Sequence, residues 1–358
     1  MKIAIYSPYL DTFGGGERYV LTVAEVLSQD SQVDLLLDTH LADLINQDYI
    51  TKANERFRLD LAKVNLVKAP IGKTSNFFTR LKFLKQYDVL FYLTDGSVFL
   101  STAKRNFVHI QSPFEGQPAK NLWGRIKLFG WERVIYNSEF TRKNASKFWP
   151  IKDGVIYPPV DTTSIKPLKK KKYVLSVGRF FGYLKEKKHE VMIQVFSDMY
   201  KSGKVDGWSL NLAGSATQAD LTYVESLKKT AAGLPVSFHL NLNYQDLIEL
   251  YGESSIYWHA MGYQESDPTK MEHFGISTVE AMAAGCVPVV INKGGQTEIV
   301  TDGENGFLWE SLEDLKSKTQ KLIVDEKLLK SLSENSLKKA QDFSKENFEQ
   351  DIKKVFYG

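Results

Sequence analysis

The residues of this sequence with the clearest chemical potential are two carboxylates, Glu272 and Glu280, which are separated by seven residues. Between them the sequence predicts a turn at Gly275 and a helix that begins at about Ser277 and ends at Gly285. Because the first turn of a helix has unpaired N–H groups and carries the positive end of the helix dipole, it favours a bound phosphate. A carboxylate beside such a turn can accept hydrogen bonds from sugar hydroxyls. The pattern therefore indicates a site for a sugar linked to a nucleotide diphosphate. The alternative is structural, with Ser277 and Glu280 as a capping box and Glu272 as a solvated loop residue.

A cluster of basic residues could neutralise that diphosphate. Gly178 and Arg179 follow a predicted strand, and Lys185, Lys187 and Lys188 come shortly after them. A departing nucleoside diphosphate gains negative charge as the glycosidic bond breaks, so fixed cations stabilise the transition state more than the ground state. Arginine supplies a fork for phosphate oxygens, and lysine supplies a compact charge. The alternative interpretation is a solvated basic loop.

A glycine-rich loop, residues 14–16, follows the first predicted strand. Because they lack side chains, Gly15 and Gly16 let backbone N–H groups approach an anion or a sugar closely. A rival interpretation is a dinucleotide fingerprint with Asp38 as the ribose ligand, but Tyr19 stands where that fingerprint has its third glycine. A tight turn without a ligand is the other alternative.

His109 ends another predicted strand, so its ring is expected to reach the mouth of a cleft at the carboxyl edge of the sheet. A neutral imidazole there could form a hydrogen bond with a sugar hydroxyl, and the alternative is a purely structural histidine. The other histidines lack the spacing of metal ligands, and the sequence contains no Asp-x-Asp motif. These observations fit a reaction that needs neither a metal ion nor a cofactor.

Strand and helix patterns alternate along the chain, and the strands are apolar on both faces, which is typical of parallel sheets covered by helices. The predicted strands are residues 3–7, 33–37, 65–67, 88–93, 107–110, 133–137, 173–177, 209–212, 236–240, 256–258, 287–291 and 306–309. Prolines and a lysine run at 169–172 interrupt the alternation after about residue 157, which indicates a hinge. We therefore predict an N-terminal domain at residues 1–160, a second domain at 161–342 and a C-terminal helical segment at 343–358.

Length and composition define the class of protein. With 358 residues, of which 43% are hydrophobic and 25% charged, the chain is long enough for two globular domains. The net charge of +3 is too small to indicate nucleic-acid binding. The single cysteine, Cys286, excludes an internal disulfide and fits a reducing compartment. No apolar run approaches the roughly 20 residues of a membrane-spanning helix, and the N-terminus is a strand rather than a signal peptide, so we expect a cytoplasmic protein.

Two stretches of the first domain, residues 73–85 and 120–133, combine basic and aromatic residues. On helices, such faces could rest on anionic lipid, which predicts a peripheral contact with the inner face of a membrane. The alternative is an apolar face that packs on the sheet and leaves a solvated basic edge.

The motif around Glu272 resembles that of a known family. The pattern Glu272-x7-Glu280, followed by Ala-Met-Ala-Ala-Gly and then by a glycine pair, is similar to the signature of the retaining GT-B glycosyltransferases of family 4, or glycosyl transferases group 1. The string Glu272-His273-Phe274-Gly275-Ile276, with Trp258-His259 upstream, is most similar to the mannosyltransferase branch of that family. The resemblance implies an α/β fold of two Rossmann-like, doubly wound parallel-sheet domains that face a central cleft. It also implies that the last helix crosses back to the first domain.

The same resemblance implies a set of site residues. The catalytic residues would be Arg179, Lys187, Glu272 and His109. Of these, Arg179 and Lys187 would bind the diphosphate, with Lys185 or Lys188 as substitutes for Lys187, and Glu272 and His109 would contact the donor hexose. Glu280 would hold the nucleotide ribose. Further donor or nucleotide contacts are implied for Gly15, Gly16, Gly178, Phe274, Gly275 and Ile276.

The function that follows is transfer of a hexose, with mannose favoured by the mannosyltransferase branch, from a GDP- or UDP-linked sugar. The acceptor would be a glycan or a lipid-linked molecule bound by the first domain, and the transfer would retain the anomeric configuration without a metal. Two alternatives stay open at this point. One is a nucleotide-sugar epimerase or another enzyme on the same scaffold, and the other is a non-catalytic protein that binds sugar nucleotides.

Overall fold

The computed structural model describes residues 1–11, 13–72, 75–113, 118–119 and 121–358. Two units account for the chain: Met1–Pro159 together with Glu346–Gly358, and Val160–Lys345. Among the described residues, no helix is long and apolar enough to cross a bilayer.

In the described part of the first unit, seven parallel strands form one sheet in the order β3-β2-β1-β4-β5-β6-β7. The strands are β1 (Lys2–Tyr6), β2 (Gln32–Leu37), β3 (Val64–Lys68), β4 (Val89–Leu93), β5 (Arg105–Ile110), β6 (Arg133–Tyr136) and β7 (Asp153–Val155). The helices that connect them are α1 (Gly15–Ser28), α2 (Leu41–Leu44), α3 (Gln47–Phe57), α4 (Phe77–Leu84), α5 (Leu122–Phe129) and α6 (Glu139–Ala145).

Successive side chains of each strand point to opposite faces of this sheet, and both faces are buried. In β1, for example, Ile3 and Ile5 belong to one apolar cluster with α1 and α3. Ala4 and Tyr6 belong to the other cluster, which includes Leu84 of α4 and Leu128 of α5. The helices therefore cover the sheet on both sides, as the continuous apolar strands predict.

The second unit contains six parallel strands in the order β10-β9-β8-β11-β12-β13. The strands are β8 (Tyr173–Val177), β9 (Ser209–Gly214), β10 (Val236–Leu240), β11 (Ile256–His259), β12 (Val287–Ile291) and β13 (Phe307–Trp309). The helices of this unit are α7 (His189–Lys201), α8 (Leu221–Thr230), α9 (Tyr244–Glu253), α10 (Ile276–Ala283), α11 (Gln296–Ile299), α12 (Leu312–Val324) and α13 (Glu326–Ala340), and the chain then continues into α14 (Lys345–Tyr357). The prediction of two doubly wound, parallel α/β domains is confirmed.

The last helix, α14, belongs to the first unit. Its buried residues Phe348, Ile352 and Phe356 are spaced four apart and lie on one face. The ring of Phe356 lies 4.8 Å from that of Phe107, and the Arg105 guanidinium donates to the Phe356 carbonyl at 2.9 Å. This helix therefore completes the core on one side of the first sheet.

Candidate functional site

The candidate site of the second unit lies where two neighbouring strands end. Because β8 and β11 pair in parallel, Gly178 and Arg179, which follow β8, lie at the same sheet edge as His259, the last residue of β11. The loop after β11 carries Glu272 and leads into α10. The sequence-predicted donor residues of this unit are thus brought to one edge.

The turn that begins α10 requires glycine. Gly275 has φ = +122°, a conformation that side-chain-bearing residues rarely adopt, and a Cβ there would lie 2.6 Å from the Gln296 amide nitrogen. The helix begins at Ile276, directly after this turn, with Gly275 at its N-cap. The capping-box alternative requires Ser277 at the cap, whereas Ser277 lies within the first turn. Its hydroxyl forms a hydrogen bond with the Tyr257 hydroxyl at 2.8 Å.

Glu272 is held by two partners at the same oxygen. The Lys187 ammonium lies 2.7 Å from Oε2, and Nε2 of His259 lies 3.0 Å from it. The side chains of Lys187 and Glu272 are 24% and 19% exposed, respectively. Burial by itself would raise the pKa of Glu272, but the charge of Lys187 and the hydrogen bond from His259 outweigh it and hold the pKa well below its ordinary value. Glu272 is therefore ionised and paired.

The three candidate lysines have different partners. Lys187 contacts Glu272, Lys185 pairs with Glu190 at 3.4 Å, and Lys188 pairs with Glu265 at 2.7 Å. The stem of Lys187 passes directly over Gly178, where an added Cβ would lie 2.8 Å from Cγ of the lysine. The glycine is thus needed for this path of the lysine, while the assignment of the phosphate-binding lysine stays a prediction.

Arg179 is half-buried and directly follows Gly178, over which the Lys187 stem passes. Its guanidinium carbon lies 5.3 Å from the centre of the Phe181 ring, which is a cation–π arrangement. Glu280 lies on α10, and its carboxylate accepts a hydrogen bond from the Tyr251 hydroxyl at 3.2 Å. Both residues lie in the second unit, and their contacts with a donor stay predictions.

Two neighbours of Glu272 in the sequence differ in environment. The side chain of Phe274 is only 3% exposed and packs edge-on against the Phe343 ring at 5.3 Å, so its side chain serves the core. Any donor contact of Phe274 is therefore restricted to its backbone in this conformation. Ile276 is half-buried at the start of α10.

His109 differs from expectation. Its ring is fully buried, stacks on Tyr19 with ring centres 3.8 Å apart, and donates from Nδ1 to the Ile135 carbonyl at 2.9 Å. Nε2 accepts a hydrogen bond from the Gln111 amide at 3.1 Å, and burial lowers the pKa of His109 to about 3. The expectation that its ring reaches an open edge is therefore wrong, because the sheet and α1 enclose it. Its role toward a donor stays a prediction.

Gln111 links His109 to the glycine-rich loop. A Cβ at Gly16 would lie 2.9 Å from the Gln111 side-chain oxygen, so the loop and this amide lie in direct contact. α1 begins at Gly15, and the Gly14 N–H donates to the Glu17 carboxylate at 2.9 Å. The loop is thus a helix start, as an anion site requires, and Gln111 is a neighbour that the sequence did not reveal.

The sequence also did not reveal His259 as a partner of Glu272. For the histidines other than His109, the sequence spacing was compared only with that of metal ligands, and that criterion cannot identify a histidine that pairs with a carboxylate. The position of His259 at the end of β11, a strand paired with β8, was the available signal, because residues that end neighbouring parallel strands share an edge. In the described residues, no group of three or more histidine, cysteine or acidic side chains is arranged to hold a metal ion.

A different surface lies on α4 and α5 of the first unit. Large apolar side chains of these two helices point away from the core, and we call this set the α4–α5 ridge: Phe77 (41% exposed), Phe78 (77%), Leu122 (74%), Trp123 (69%), Ile126 (41%) and Phe129 (96%). α5 buries a single residue, Leu128. The alternative interpretation, in which the apolar face packs on the sheet, is therefore wrong for α5. Lys73 and Lys120, which begin the two predicted stretches, lie outside the described residues.

The two helices of the ridge are joined through Phe99. The Arg80 guanidinium of α4 lies 5.4 Å from the Phe99 ring, and that ring lies 5.5 Å from the ring of Trp131, which follows α5. Leu84 and Leu128 also belong to the same apolar cluster on one face of the sheet. The exposed apolar groups thus share one side of the first unit.

Half of the chain matches a known protein family. A family model described as "Glycosyl transferases group 1" matches residues 161–339. The GDP-Man:Man(3)GlcNAc(2)-PP-Dol alpha-1,2-mannosyltransferase of Dictyostelium discoideum is 27% identical over 237 residues, which cover 60% of this chain and 45% of that protein. The human protein of the same name is 31% identical over 202 residues, which cover 51% of this chain and 39% of that protein. The chain therefore spans less than half of either relative.

A solved structure with the same architecture is that of Anabaena HepE in complex with UDP and glucose. It covers 100% of this chain and 99% of HepE with a TM-score of 0.69 and 17% sequence identity. At that identity the likeness concerns the fold alone, and it confirms the prediction of the GT-B class.

Proposed function

We propose that this chain, which belongs to the glycosyl transferases group 1 family, transfers a hexose from a nucleotide-diphosphate sugar to an acceptor. The observation that carries the proposal is the contact of Lys187 Nζ with Glu272 Oε2 at 2.7 Å, beside Arg179 and the turn that begins α10. A nucleotide sugar needs a carboxylate for its hydroxyls and cations for its diphosphate. The Lys187–Glu272 pair supplies one group of each kind, and its position at this sheet edge supports the proposal.

Each group has a distinct role in the proposed reaction. The Arg179 fork and the Lys187 ammonium bind the diphosphate and stabilise the charge that develops as the glycosidic bond to the hexose breaks. Glu272 orients the hexose through its hydroxyls, and Glu280 accepts from the nucleotide ribose. We propose that the reaction uses no metal ion, because the two cations supply the positive charge. Retention of the anomeric configuration is proposed on the family resemblance alone.

Mannose is the hexose that we favour. The relatives from Dictyostelium and human are named as enzymes that take mannose from its GDP derivative and add it to a dolichol-linked glycan. We propose GDP-mannose as the donor for this chain, with a UDP-linked hexose as the alternative, and a glycan or lipid-linked acceptor bound by the first unit.

The test is a panel of nucleotide sugars. Thermal unfolding should shift upward with the true donor, since a ligand of the native state at 100 times its Kd adds about 2.7 kcal/mol of stability. Transfer is then measured with that donor. Glu272→Ala and Arg179→Ala should each lower kcat/KM by about 100- to 1,000-fold, the usual cost of losing one charge-stabilising group.

A matched control is Lys171→Met. Lys171 forms an ion pair of the same length, 2.7 Å, with Glu253 elsewhere in the second unit. This variant should transfer sugar like the wild type. Full activity in Glu272→Ala would remove Glu272 from the site. Binding of a nucleotide sugar without transfer to any glycan or lipid-linked acceptor would favour a non-catalytic sugar-nucleotide-binding protein.

The α4–α5 ridge suggests where the protein encounters a lipid-linked acceptor. We propose that the ridge contacts an anionic bilayer at the inner face of a membrane. Between Asp60 and Asp88 the sequence has six lysines and arginines and no acidic residue. In residues 118–131 the charged residues are likewise all basic. Exposed basic side chains such as Lys82 and Arg125 are thus adjacent to exposed aromatic ones. Apolar insertion combined with basic charge is the pattern by which helices lie at an anionic lipid surface.

Vesicle sedimentation tests this contact. At low salt the protein should bind vesicles that contain phosphatidylglycerol and not vesicles of phosphatidylcholine alone. Phe129→Asp should weaken binding at least tenfold because a buried aromatic side chain contributes about 1.5–3 kcal/mol, and Arg125→Gln about fivefold because a basic residue near the surface contributes about 1 kcal/mol. Leu44→Asp, at an exposed apolar residue of α2, is the matched control. If the wild type ignores anionic vesicles but self-associates through the ridge, the partner is a second copy instead.

A further inference from the structure

The ring of His259 lies against the carboxylate that we assign to the donor hexose. It is 3% exposed, and its Nε2 lies 3.0 Å from Oε2 of Glu272. The backbone of His259 is also fixed, since the Trp309 indole donates to its carbonyl at 3.2 Å. The imidazole therefore has a defined position relative to Glu272.

We propose that His259 is a positioning residue, which fixes the Glu272 carboxylate through Oε2 and leaves Oε1 to accept a hydroxyl of the donor hexose. The inference rests on the proposed function. Its geometric basis is that Lys187 and His259 both converge on Oε2. Two partners at one oxygen restrict rotation of the carboxylate about its last bond, and the other oxygen then points in one direction.

The protonation state of His259 agrees with this role. Burial lowers the pKa of His259, although the hydrogen bond with Glu272 acts in the opposite sense. The ring is therefore neutral at pH 7, and since Glu272 is ionised, the proton is assigned to Nε2, which donates. Nε2 already donates to Glu272, and the basic nitrogen, Nδ1, is buried where no acceptor hydroxyl can reach it. His259 therefore acts through Glu272 and not as a general base.

The other ring nitrogen argues against a role in packing alone. Nδ1 of His259 is buried and has no hydrogen-bond partner in the described part of the chain. A buried polar atom without a partner costs stability, and an apolar side chain would avoid that cost. The contact of Nε2 with Glu272 is the gain that offsets it.

Loss of His259 should leave Glu272 charged but mobile. The groups that face this carboxylate are the Lys187 ammonium, the His259 ring and, at longer range, the Tyr257 hydroxyl. Without His259, Lys187 still neutralises the charge, yet the carboxylate can rotate. Removal of a partner that orients a reacting group costs about 10- to 100-fold in activity.

The experiment compares His259→Phe with His259→Gln in the full chain. Phe keeps a ring of similar size and removes the donor, so kcat/KM should fall about 10- to 100-fold, mainly through kcat. Gln can place an N–H near the former Nε2 and should restore part of the loss. The acid limb of the kcat/KM profile should move to higher pH in His259→Phe, because a group that lowers the pKa of Glu272 is gone. The matched control is His239→Phe. His239 on β10 also forms a hydrogen bond through Nε2, with the Asn211 side chain of β9 at 3.0 Å, but it does not contact Glu272.

Several outcomes overturn the inference. The first is an unchanged kcat/KM and an unchanged acid limb in His259→Phe. The second is that His259→Gln recovers none of the lost kcat/KM although both variants unfold at the wild-type temperature. The third is a loss of kcat/KM in His239→Phe as large as that in His259→Phe. A readout without activity is the nitrogen-15 spectrum of the histidine rings. It should report an Nε2–H tautomer for His259, and Glu272→Gln should shift its Nε2 resonance. If the wild type transfers no sugar, the proposed function fails, but this spectrum still tests the contact between His259 and Glu272. An Nε2 resonance that does not shift in Glu272→Gln would refute that contact.

Discussion

Replacement of Lys187 by methionine should destabilise the second unit, because it leaves the Glu272 carboxylate in a largely buried site without its cation. At 2.7 Å, and with an effective dielectric constant of about 20, the attraction between the two charges is about 6 kcal/mol before desolvation is counted. Removal of one partner from a fully buried pair costs about 3–5 kcal/mol. Since the side chains of Lys187 and Glu272 are still 24% and 19% exposed, we expect Lys187→Met to lower the free energy of unfolding by about 2–4 kcal/mol.

A double-mutant cycle isolates the contribution of the pair. Glu272→Gln alone should cost about 1–2 kcal/mol, because the lysine can turn toward water, and the double variant should cost no more than about 2 kcal/mol, because no buried charge remains. The coupling energy should therefore be about 2 kcal/mol. Thermal unfolding measures each variant, at about 2–4 °C per kcal/mol for a unit of this size.

The effect should also depend on pH in a defined sense. The folded-state pKa of Glu272 lies below its ordinary value of 4.5, so its contribution to the wild type is present above pH 4.5 and is lost as the pH falls through the depressed value. The stability difference between wild type and Lys187→Met should be full at pH 7 and shrink in that acid range. A coupling energy below about 0.5 kcal/mol, or a difference that does not change with pH, would refute the reasoning.

Two further predictions concern the fold. Gly275→Ala should destabilise the second unit by more than Gly303→Ala. Both glycines have positive φ, but only at Gly275 would an added Cβ also lie 2.6 Å from Gln296. Thermal unfolding should show a loss of about 1–3 kcal/mol for the backbone strain alone, and equal losses in the two variants would contradict the steric argument. Ile352→Ala in α14 should cost about 2–5 kcal/mol because the side chain is fully buried, whereas Val324→Ala, at a 69% exposed position, should stay within about 0.5 kcal/mol; a cost for Ile352→Ala as small as that of the control would mean that α14 does not stabilise its unit.

The apolar runs of the sequence were sufficient to predict every strand of the described residues except β7. β4, for example, was predicted at residues 88–93 and is Val89–Leu93, buried along its whole length. β7 was missed because Asp153–Val155 is short, half-buried and lies at the sheet edge. Such edge strands carry little apolar signal, since solvent covers one of their sides.

The candidate site was predictable only in part. The spacing of Glu272, Gly275 and Glu280 identified the loop and the helix start, because local backbone rules govern both. The contacts of Glu272 with Lys187 and His259 join residues that are far apart in the sequence, and periodicity carries no information about such pairs. For the same reason, the enclosure of His109 by α1 could not be predicted from its place at a strand end.

The return of α14 to the first unit has a consequence for synthesis. Phe348, Ile352 and Phe356 supply apolar surface to a core whose other members lie mostly before residue 160. A nascent chain leaving the ribosome can therefore form the complete second unit while the first still lacks part of its interior. The usual order, in which the N-terminal domain finishes first, is then reversed. Until Phe356 emerges, the apolar side of the first sheet that α14 will cover stays open to chaperones and to aggregation.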